Sequence, residues 1–193
     1  MDTKERLSED TPIQIVELFQ FPYKYFADLF SSSNSFTLLD IACGNALQKD
    51  MLLETFSSCI FMDSFPQEDF ILKGNILDIP LLSKSIDVCF CFETIEHVED
   101  HQIAVDELLR VTKKFIVVGS VNKDGPSFID GVEIYKGAAN PFHVRELGVL
   151  DFLSLFRSYN VLQFFSSRYD GEVFYMDSGL TSNGYCNYVL LAV

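Results

Sequence analysis

The stretch LLDIACGNALQ, residues 38–48, decides the fold of this chain. Its first half is apolar, as expected for a strand of a parallel sheet that is buried on both faces. Small residues then interrupt the apolar run before a helical segment begins, which indicates a tight turn from strand to helix. In an open parallel sheet, ligands bind beyond the carboxyl ends of the strands. The stretch therefore predicts an α/β chain whose principal site lies at this turn.

Strand-like and helix-like segments alternate along the rest of the chain, which predicts the fold class. Helices are expected at 46–56, at 99–111 and around 149–156; strands are expected at 36–42, 58–63, 69–74, 86–92, 114–121, 160–167 and 185–193. We predict a Rossmann-like, doubly wound α/β fold with a mainly parallel seven-stranded sheet. The last two strands leave little room for a helix between them, so a C-terminal antiparallel hairpin is expected.

The length of 193 residues predicts a single domain. Residues 1–35 are interpreted as an N-terminal helical lid or cap, and residues 36–193 as the domain that binds the ligand. Within the cap, Thr11 and Pro12 resemble a helix start, and the apolar spacing predicts two short helices or one helix broken near Pro22. Residues 122–144 are rich in glycine and proline and are expected to form a long functional loop.

Charge and composition disfavour several classes of partner. The formal net charge is −14, whereas a protein that neutralises phosphates needs a basic face. We therefore expect no nucleic acid and no anionic membrane as a partner. No signal peptide is apparent, and no apolar run approaches the ~20 residues of a membrane helix. The five cysteines contain no C-x-x-C motif and are expected to be reduced core residues of a cytoplasmic protein. The oligomeric state stays open.

The turn after residue 41 can be compared with two glycine patterns. The dinucleotide pattern G-x-G-x-x-G would place Leu47 where its last glycine is needed, which disfavours a nucleotide-dependent oxidoreductase. The pattern G-x-G-x-G fits with the smallest possible departures, since Ala42 and Ala46 flank Gly44. Alanine at the flanking positions implies that these Cα atoms face away from the ligand or have negative φ angles. The second pattern resembles the first motif of the class I S-adenosylmethionine (SAM) methyltransferases.

Further segments support this resemblance in the expected order. Asp63 ends the second predicted strand, and GNILDIPLLSKSIDVCFCFETIEHVED (74–100) resembles the stretch around the family's fourth strand. VDELLRVTKKFIVV (105–118) resembles its following helix and fifth strand, and NPFHVREL (140–147) resembles the start of its late helix. Over residues 36–193 the chain is similar to the small-molecule, type 11-like branch of the family. The resemblance implies a SAM cofactor and methyl transfer to a small-molecule acceptor, with a hydroxyl as the expected target.

The resemblance also implies a set of cofactor contacts. Asp40 would orient the methionine ammonium, Asp63 would accept hydrogen bonds from both ribose hydroxyls, and Asn75 would replace the aspartate that usually contacts the adenine amino group. For Asp40 the alternative is capping of nearby backbone, and for Ile76 it is core packing. The full set of expected cofactor residues is Asp40, Ala42, Cys43, Gly44, Asn45, Asp63, Ser64, Asn75, Ile76, Phe92 and Glu93.

Acceptor chemistry is expected from His97, His143 and Arg145. An imidazole is a suitable proton acceptor near neutral pH. The alternative for His143 and Arg145 is helix capping and an ion pair with Glu146 or Asp151. No metal site is expected. His97 and His101 are four residues apart and could share a helical face with Glu93 or Glu96, but the sequence shows no third ligand.

A different class of function stays open at this point. The thinned glycine motif is also compatible with a methyltransferase-like partner protein that binds cofactor poorly or not at all. Asp40, Gly44 and Asp63 favour the enzyme. If the chain is an enzyme, the loop 122–144 and the N-terminal helices would form the acceptor pocket and its lid.

Overall fold

The computed structural model describes residues 11–32, 35–134 and 140–193. The helices are α1 (Ile13–Phe30), α2 (Lys49–Thr55), α3 (His101–Val111) and α4 (Val149–Leu155), with a 3₁₀ turn at Ile95–His97. The strands are β1 (Thr37–Ile41), β2 (Ser58–Asp63), β3 (Leu72–Lys73), β4 (Ile86–Cys91), β5 (Thr112–Val121), β6 (Phe128–Ile129), β7 (Val132–Glu133), β8 (Asn160–Tyr169), β9 (Phe174–Ser178) and β10 (Cys186–Ala192).

The main sheet has the strand order β3-β2-β1-β4-β5-β10-β8-β9. Its first five strands are parallel. β10 is antiparallel to both of its neighbours, and β9 pairs antiparallel with β8 at the edge. The predicted fold class, a Rossmann-like and mainly parallel sheet with an antiparallel C-terminal part, is confirmed. The sheet has one edge strand more than the seven predicted, and the small hairpin β6–β7 lies in the segment predicted as a loop.

Helix α1 is continuous through Pro22, so the predicted break near this residue is wrong. Proline inside a helix costs ~3 kcal/mol or more. The helix persists because its apolar face is buried: Leu18 and Phe26 are completely inaccessible, and burying such a side chain contributes ~1.5–3 kcal/mol. The helix start also differs from the prediction, since Pro12 occupies the N-cap position and no side chain caps it.

Apolar layers cover both faces of the sheet. Strand β4 contributes alternate side chains to the two layers. Val88 and Phe90 pack with α1 and α2, whereas Cys89 and Cys91 pack with α3 and α4. This alternation is the period of two expected of a strand that is buried on both sides. The five cysteines are free thiols, four of them buried, as predicted for core residues.

The parallel register brings the ends of three strands to one edge. Asp40 of β1 lies opposite Phe61 of β2 on one side and Phe90 of β4 on the other. The segments that follow these strands therefore start side by side, and they contain most of the residues predicted to bind the cofactor. Among the described residues, no helix is long and apolar enough to cross a membrane.

Candidate cofactor and acceptor site

The turn after β1 has three left-handed residues at the positions of the small side chains. The φ angles of Ala42, Gly44 and Ala46 are 59°, 61° and 52°. The possibility that the two alanines have negative φ is therefore wrong, because this turn needs the left-handed conformation at every second residue. An L-residue pays ~1–2 kcal/mol for that conformation. A Cβ atom built on Gly44 would meet nothing within 4 Å. The described residues therefore explain the glycine by its left-handed φ angle and not by a lack of space for a side chain.

Asp63 joins the end of β2 to this turn. Its Oδ2 accepts a hydrogen bond from the Gly44 amide at 3.0 Å, and its Oδ1 accepts one from the Phe65 amide at 2.8 Å. The Cys43 amide also donates to the Met62 carbonyl at 3.2 Å. Asp63 is 9% exposed. Since a carboxylate has about four acceptor positions, these two bonds hold it in place and are compatible with further bonds from a ribose.

Asp40 lies at the end of β1 and is completely buried. Its Oδ1 accepts from the Tyr23 hydroxyl at 3.1 Å, and its Oδ2 accepts from the Gln48 amide at 2.7 Å. Burial raises the pKa of Asp40 to about 7, while the two hydrogen bonds act in the opposite direction. Burial also raises the pKa of Tyr23 far above its ordinary value, so its hydroxyl stays a donor. No local sequence pattern indicated either partner.

Ser64, which follows β2, and the segment after β3 would face the adenine in the predicted arrangement. Ser64 donates through its hydroxyl to the Gly74 carbonyl at 3.1 Å. Asn75 is exposed, and its Oδ1 accepts from the Leu77 amide at 3.0 Å. The amide oxygen that was expected to meet the adenine amino group thus already supports its own turn. Ile76 is buried among core residues. Its burial agrees with the alternative of plain core packing as well as with a contact to the adenine.

The end of β4 forms the other wall of the cofactor region. Phe92 is buried, and the Tyr23 ring packs against it edge-on with the ring centroids 4.6 Å apart. Glu93 follows with a φ angle of 48°, and its amide donates to the Gly119 carbonyl at 3.1 Å. A left-handed glutamate is strained backbone, which clusters at ligand sites. Tyr23 therefore links α1 to both Asp40 and the end of β4.

Beyond Glu93 the chain forms the 3₁₀ turn at Ile95–His97, and the segment 140–146 packs against it. The Glu96 carbonyl accepts hydrogen bonds from the amides of Val144 at 2.8 Å and Arg145 at 3.1 Å. This contact places the rings of His97 and His143 at 68° to each other, with centroids 4.8 Å apart. The structure thus brings together two of the three residues predicted for acceptor chemistry.

Arg145, the third of these residues, has a different environment. Its side chain is 61% exposed, and Nη2 lies 3.7 Å from Oδ2 of Asp151. This ion pair matches the structural alternative considered for Arg145. His101, which was considered together with His97 as a metal ligand, starts α3 instead. Val98 between them has an extended backbone, so the two histidines do not share a helical face.

Hydrogen bonds assign the same tautomer to both acceptor-side histidines. Nδ1 of His97 lies 3.2 Å from the Phe142 carbonyl, and Nδ1 of His143 lies 2.7 Å from Oε1 of Glu146. Because a carbonyl or carboxylate oxygen accepts, each Nδ1 carries a proton, and in the neutral imidazole each Nε2 then has the lone pair. Nε2 of His143 accepts from the Asn140 amide at 2.8 Å. Sequence reasoning missed Asn140, although the three-residue spacing of His143 and Glu146 is a local signal for their pair.

Comparison with known proteins gives a family and several relatives. A family model described as a methyltransferase domain matches residues 39–115. A probable S-adenosylmethionine-dependent methyltransferase of Mycolicibacterium smegmatis is 28% identical over 129 residues, which is 61% of this chain and 49% of the relative. The chain thus spans about half the length of the curated relatives it matches.

Solved structures share the fold at low sequence identity. A SAM-dependent methyltransferase from Aquifex aeolicus superposes with a TM-score of 0.67 at 17% identity, covering 100% of this chain and 99% of that one. The small RNA methyltransferase HEN1 has a TM-score of 0.68 at 18% identity, covering 97% of this chain and 26% of that one. Together with the ordered motifs, the family match over residues 39–115 and the curated relatives support a class I SAM-dependent methyltransferase, for which S-adenosylmethionine would be the cofactor, and the solved structures show the shared fold.

Proposed function

We propose that this protein transfers the methyl group of SAM to a small-molecule acceptor and that the methylated group is a hydroxyl. The observation that carries the proposal is the hydrogen bond between Asp63 and the amide of Gly44. It joins the carboxylate expected to hold the ribose to the loop expected to pass beside the cofactor. Both groups stand at the carboxyl edge of the parallel strands, where ligands of such sheets bind.

The cofactor contacts in this proposal follow the ends of the strands. The backbone of Ala42, Cys43, Gly44 and Asn45 would pass beside the methionine part, and Asp40 would orient its ammonium group. Asp63 would hold the ribose, and Ser64, Asn75 and Ile76 would line the adenine. Phe92 and Glu93 would face the sulfonium. Because the sulfonium is already an activated methyl donor, the protein mainly has to align acceptor, methyl carbon and sulfur, which can contribute up to ~7–11 kcal/mol.

His97 and His143 are the proposed contacts of the acceptor. Their rings are adjacent, and the Nε2 lone pair of His97 can accept the proton of a hydroxyl during methyl transfer. Nε2 of His143 would first have to release the Asn140 amide before it could do the same. Arg145 is retained as a contact that would first have to leave Asp151. Helix α1 would form the lid of the acceptor pocket, and residues 122–134 and 140–144 would form its wall. Residues 135–139 of the predicted loop lie outside the described residues.

The acidic charge supports an acceptor other than nucleic acid. With a formal net charge of −14, the chain has no excess of cations with which to neutralise a phosphate backbone. We accordingly include a small-molecule partner, no nucleic acid and no membrane in the proposal. The free thiols fit a reducing compartment, and we propose a cytoplasmic location on that basis.

A second candidate function is a methyltransferase-like partner protein with weak cofactor binding. Three features of the cofactor region favour it. The alanines of the turn are strained, the carboxylate of Asp40 is bound by Tyr23 and Gln48, and Asn75 supports its own loop. Each of these would reduce cofactor affinity relative to a glycine-rich site with open polar groups. The two candidates differ in one measurable quantity, the affinity for cofactor.

Calorimetric titration with S-adenosylhomocysteine, the demethylated product of SAM, distinguishes the two candidates. We expect a micromolar dissociation constant; ligand at 100 times that value would stabilise the fold by ~2.7 kcal/mol in a thermal-shift assay. NAD serves as the control nucleotide and should produce no shift. Absence of binding at millimolar ligand would reject the enzyme and favour the partner protein. Where binding occurs, transfer of radiolabelled methyl groups to a panel of small hydroxyl, amine and thiol compounds, with RNA as a separate sample, tests the acceptor class.

A further inference from the structure

We propose that Glu96, His97 and His143 form a binding site for a divalent first-row transition metal ion. One candidate ligand atom of each residue lies within 4.8 Å of the candidate atoms of the other two. Two imidazoles and one carboxylate are a common set of protein ligands for zinc and related metals, which leave further coordination positions for water or substrate. Sequence spacing suggested only His97 and His101 as partners, and the fold replaces His101 by His143.

The hydrogen bonds around both histidines prepare one nitrogen for a metal. A ligating histidine almost always donates its other ring N–H to a carboxylate, a carbonyl or water, which fixes the tautomer and the ring orientation. Here His97 donates from Nδ1 to the Phe142 carbonyl, and His143 donates from Nδ1 to Glu146. The Nε2 atoms are therefore the ligand atoms, and a metal would displace the Asn140 amide from Nε2 of His143.

The pair of His143 and Glu146 has the environment of a supporting contact and not of a surface ion pair. The two side chains are 5% and 8% exposed, and Nδ1 and Oε1 are 2.7 Å apart. Asn140 is also buried, and its Oδ1 accepts from the Phe142 amide. The segment that presents His143 is thus held by hydrogen bonds at several points, which limits the movement needed to bind an ion.

Glu96 supplies the negative charge of the proposed site. It is completely buried, and its two oxygens accept from the Ser120 hydroxyl at 3.0 Å and the Val121 amide at 3.4 Å. Both donors are neutral, and within the described part of the chain no lysine or arginine forms an ion pair with Glu96. Buried charges are normally paired or coordinate metals. A divalent cation would compensate this carboxylate, whose oxygens each have a further lone pair.

Metal binding would change how the acceptor is activated, and this part rests on the proposed function. With Nε2 of both histidines used as ligands, neither imidazole could take the proton of the acceptor. An acceptor hydroxyl bound to the cation would instead lose its proton to solvent, because a metal ion lowers the pKa of a bound hydroxyl group. The resulting oxygen would attack the methyl carbon as the sulfur–carbon bond breaks. Metal binding itself needs neither cofactor nor acceptor, and its proposed ligands are Glu96, His97 and His143.

Titration of the full chain with Co²⁺ tests the site without cofactor or acceptor. After treatment with EDTA and dialysis, visible absorption should show one saturable Co²⁺ site with a micromolar dissociation constant and without the intense near-ultraviolet band of thiolate ligands. Since no SAM is present, failure of this titration leaves the proposed methyl transfer standing, and failure of cofactor binding leaves the metal site standing. No saturable binding, or a thiolate band, would overturn the metal proposal.

Variants identify the ligands. We expect Glu96→Gln, His97→Gln and His143→Gln each to weaken Co²⁺ binding at least ~10-fold, as loss of a ligand or of its support usually does. The controls are His101→Gln, which changes the remaining histidine of the chain, and Glu99→Gln, which removes an exposed carboxylate two residues from His97. Both should bind like the parent.

Glu146→Gln keeps the proposal testable if a ligand variant does not fold, because it changes only the support of His143. It keeps the size of the side chain and a hydrogen-bond acceptor, and circular dichroism checks that it is folded. We expect it to weaken Co²⁺ binding through His143 by ~10-fold or more. If folded ligand variants bind Co²⁺ like the parent, or if His101→Gln weakens binding as strongly as His97→Gln does, the assignment of Glu96, His97 and His143 is wrong.

Discussion

The turn after β1 and the acceptor-side cluster around Glu96 are built in opposite ways. In the turn, the backbone supplies the geometry, with left-handed residues at 42, 44 and 46. In the cluster, side chains of two distant segments meet, and each histidine is held by a hydrogen bond to the segment 140–146, His97 to the Phe142 carbonyl and His143 to the Glu146 carboxylate. Since backbone binding depends on conformation and cluster chemistry depends on side-chain identity, substitutions in the two regions should affect different measurements.

The largest expected effect is on cofactor affinity in Asp63→Ala. The variant loses a carboxylate that would accept hydrogen bonds from two ribose hydroxyls, and hydrogen bonds to a charged group are worth ~1.5–3 kcal/mol each. We expect the affinity for S-adenosylhomocysteine, measured by calorimetry, to fall by at least ~100-fold. His97→Ala, in the other region, should leave this affinity close to that of the parent. Parent-like binding by both variants would remove Asp63 from the cofactor site.

The second effect is a pH dependence of stability that belongs to Asp40. Burial raises the pKa of this carboxyl from its ordinary 3.8 to about 7 in the folded protein. Between these values the folded state binds more protons than the unfolded state, so the free energy of unfolding falls as pH rises. The contribution of Asp40 to this loss is on the order of 4 kcal/mol, at ~1.4 kcal/mol for each pKa unit.

Asp40→Asn removes the titrating group and is the matched variant for this test. Chemical denaturation at pH 5 and pH 8 should show a smaller loss of stability for the variant than for the parent, with no further loss expected from Asp40 well above pH 7. The cofactor extends the argument, because a methionine ammonium beside Asp40 would favour the ionised carboxylate. Cofactor affinity of the parent should then rise with pH through 7. Equal pH profiles of parent and variant would show that Asp40 does not titrate in this range.

The difference between local backbone patterns and contacts of residues far apart in sequence explains which features could be predicted. The strand Ser58–Asp63 has the predicted bounds, and Asp63 meets the turn as expected, because both follow from a local pattern and from parallel strand order. The hydrogen bond from Tyr23 to Asp40 was not predictable, since it joins a helix and a strand through packing alone. At Pro22 a local pattern led to a wrong prediction. The preference of proline indicates a helix break, but burial of the apolar face of α1 keeps the helix continuous.

On the acceptor side, local spacing was misleading. His97 and His101 have the spacing of neighbours on a helix, but the extended backbone at Val98 separates the 3₁₀ turn from α3. Asp100 then starts a new helix by accepting a hydrogen bond from the Ile103 amide. The proximity of His97 to His143 depends on two backbone bonds between segments 96 and 144–145. The sequence contains these residues but no pattern that brings them together.

A paired substitution in the turn tests whether its backbone binds the cofactor. Gly44→Ala would place a third alanine in the left-handed conformation, at ~1–2 kcal/mol of strain, and would disturb the amide that Asp63 accepts from. We expect a folded variant that has lost most of its affinity for S-adenosylhomocysteine. Ala46→Gly should keep or improve that affinity, because relief of strain at φ 52° opposes the loss of a buried methyl group. Normal cofactor binding by Gly44→Ala would mean that the turn is not the cofactor loop.

The smallest expected effect is in Tyr23→Phe, which tests whether α1 is coupled to the cofactor region. The change removes the hydroxyl that donates to Asp40 and keeps the ring that packs on Phe92. One hydrogen bond contributes ~0.5–1.5 kcal/mol, so denaturation should show a loss of that size. Because the lost bond favours the ionised form, the pKa of Asp40 should rise further in the variant, and its pH-dependent loss of stability should extend to higher pH. Tyr25→Phe, on the same helix and without a bond to Asp40, is the control. If Tyr23→Phe and Tyr25→Phe have the same pH profile, α1 packs beside the site without influencing the charge of Asp40.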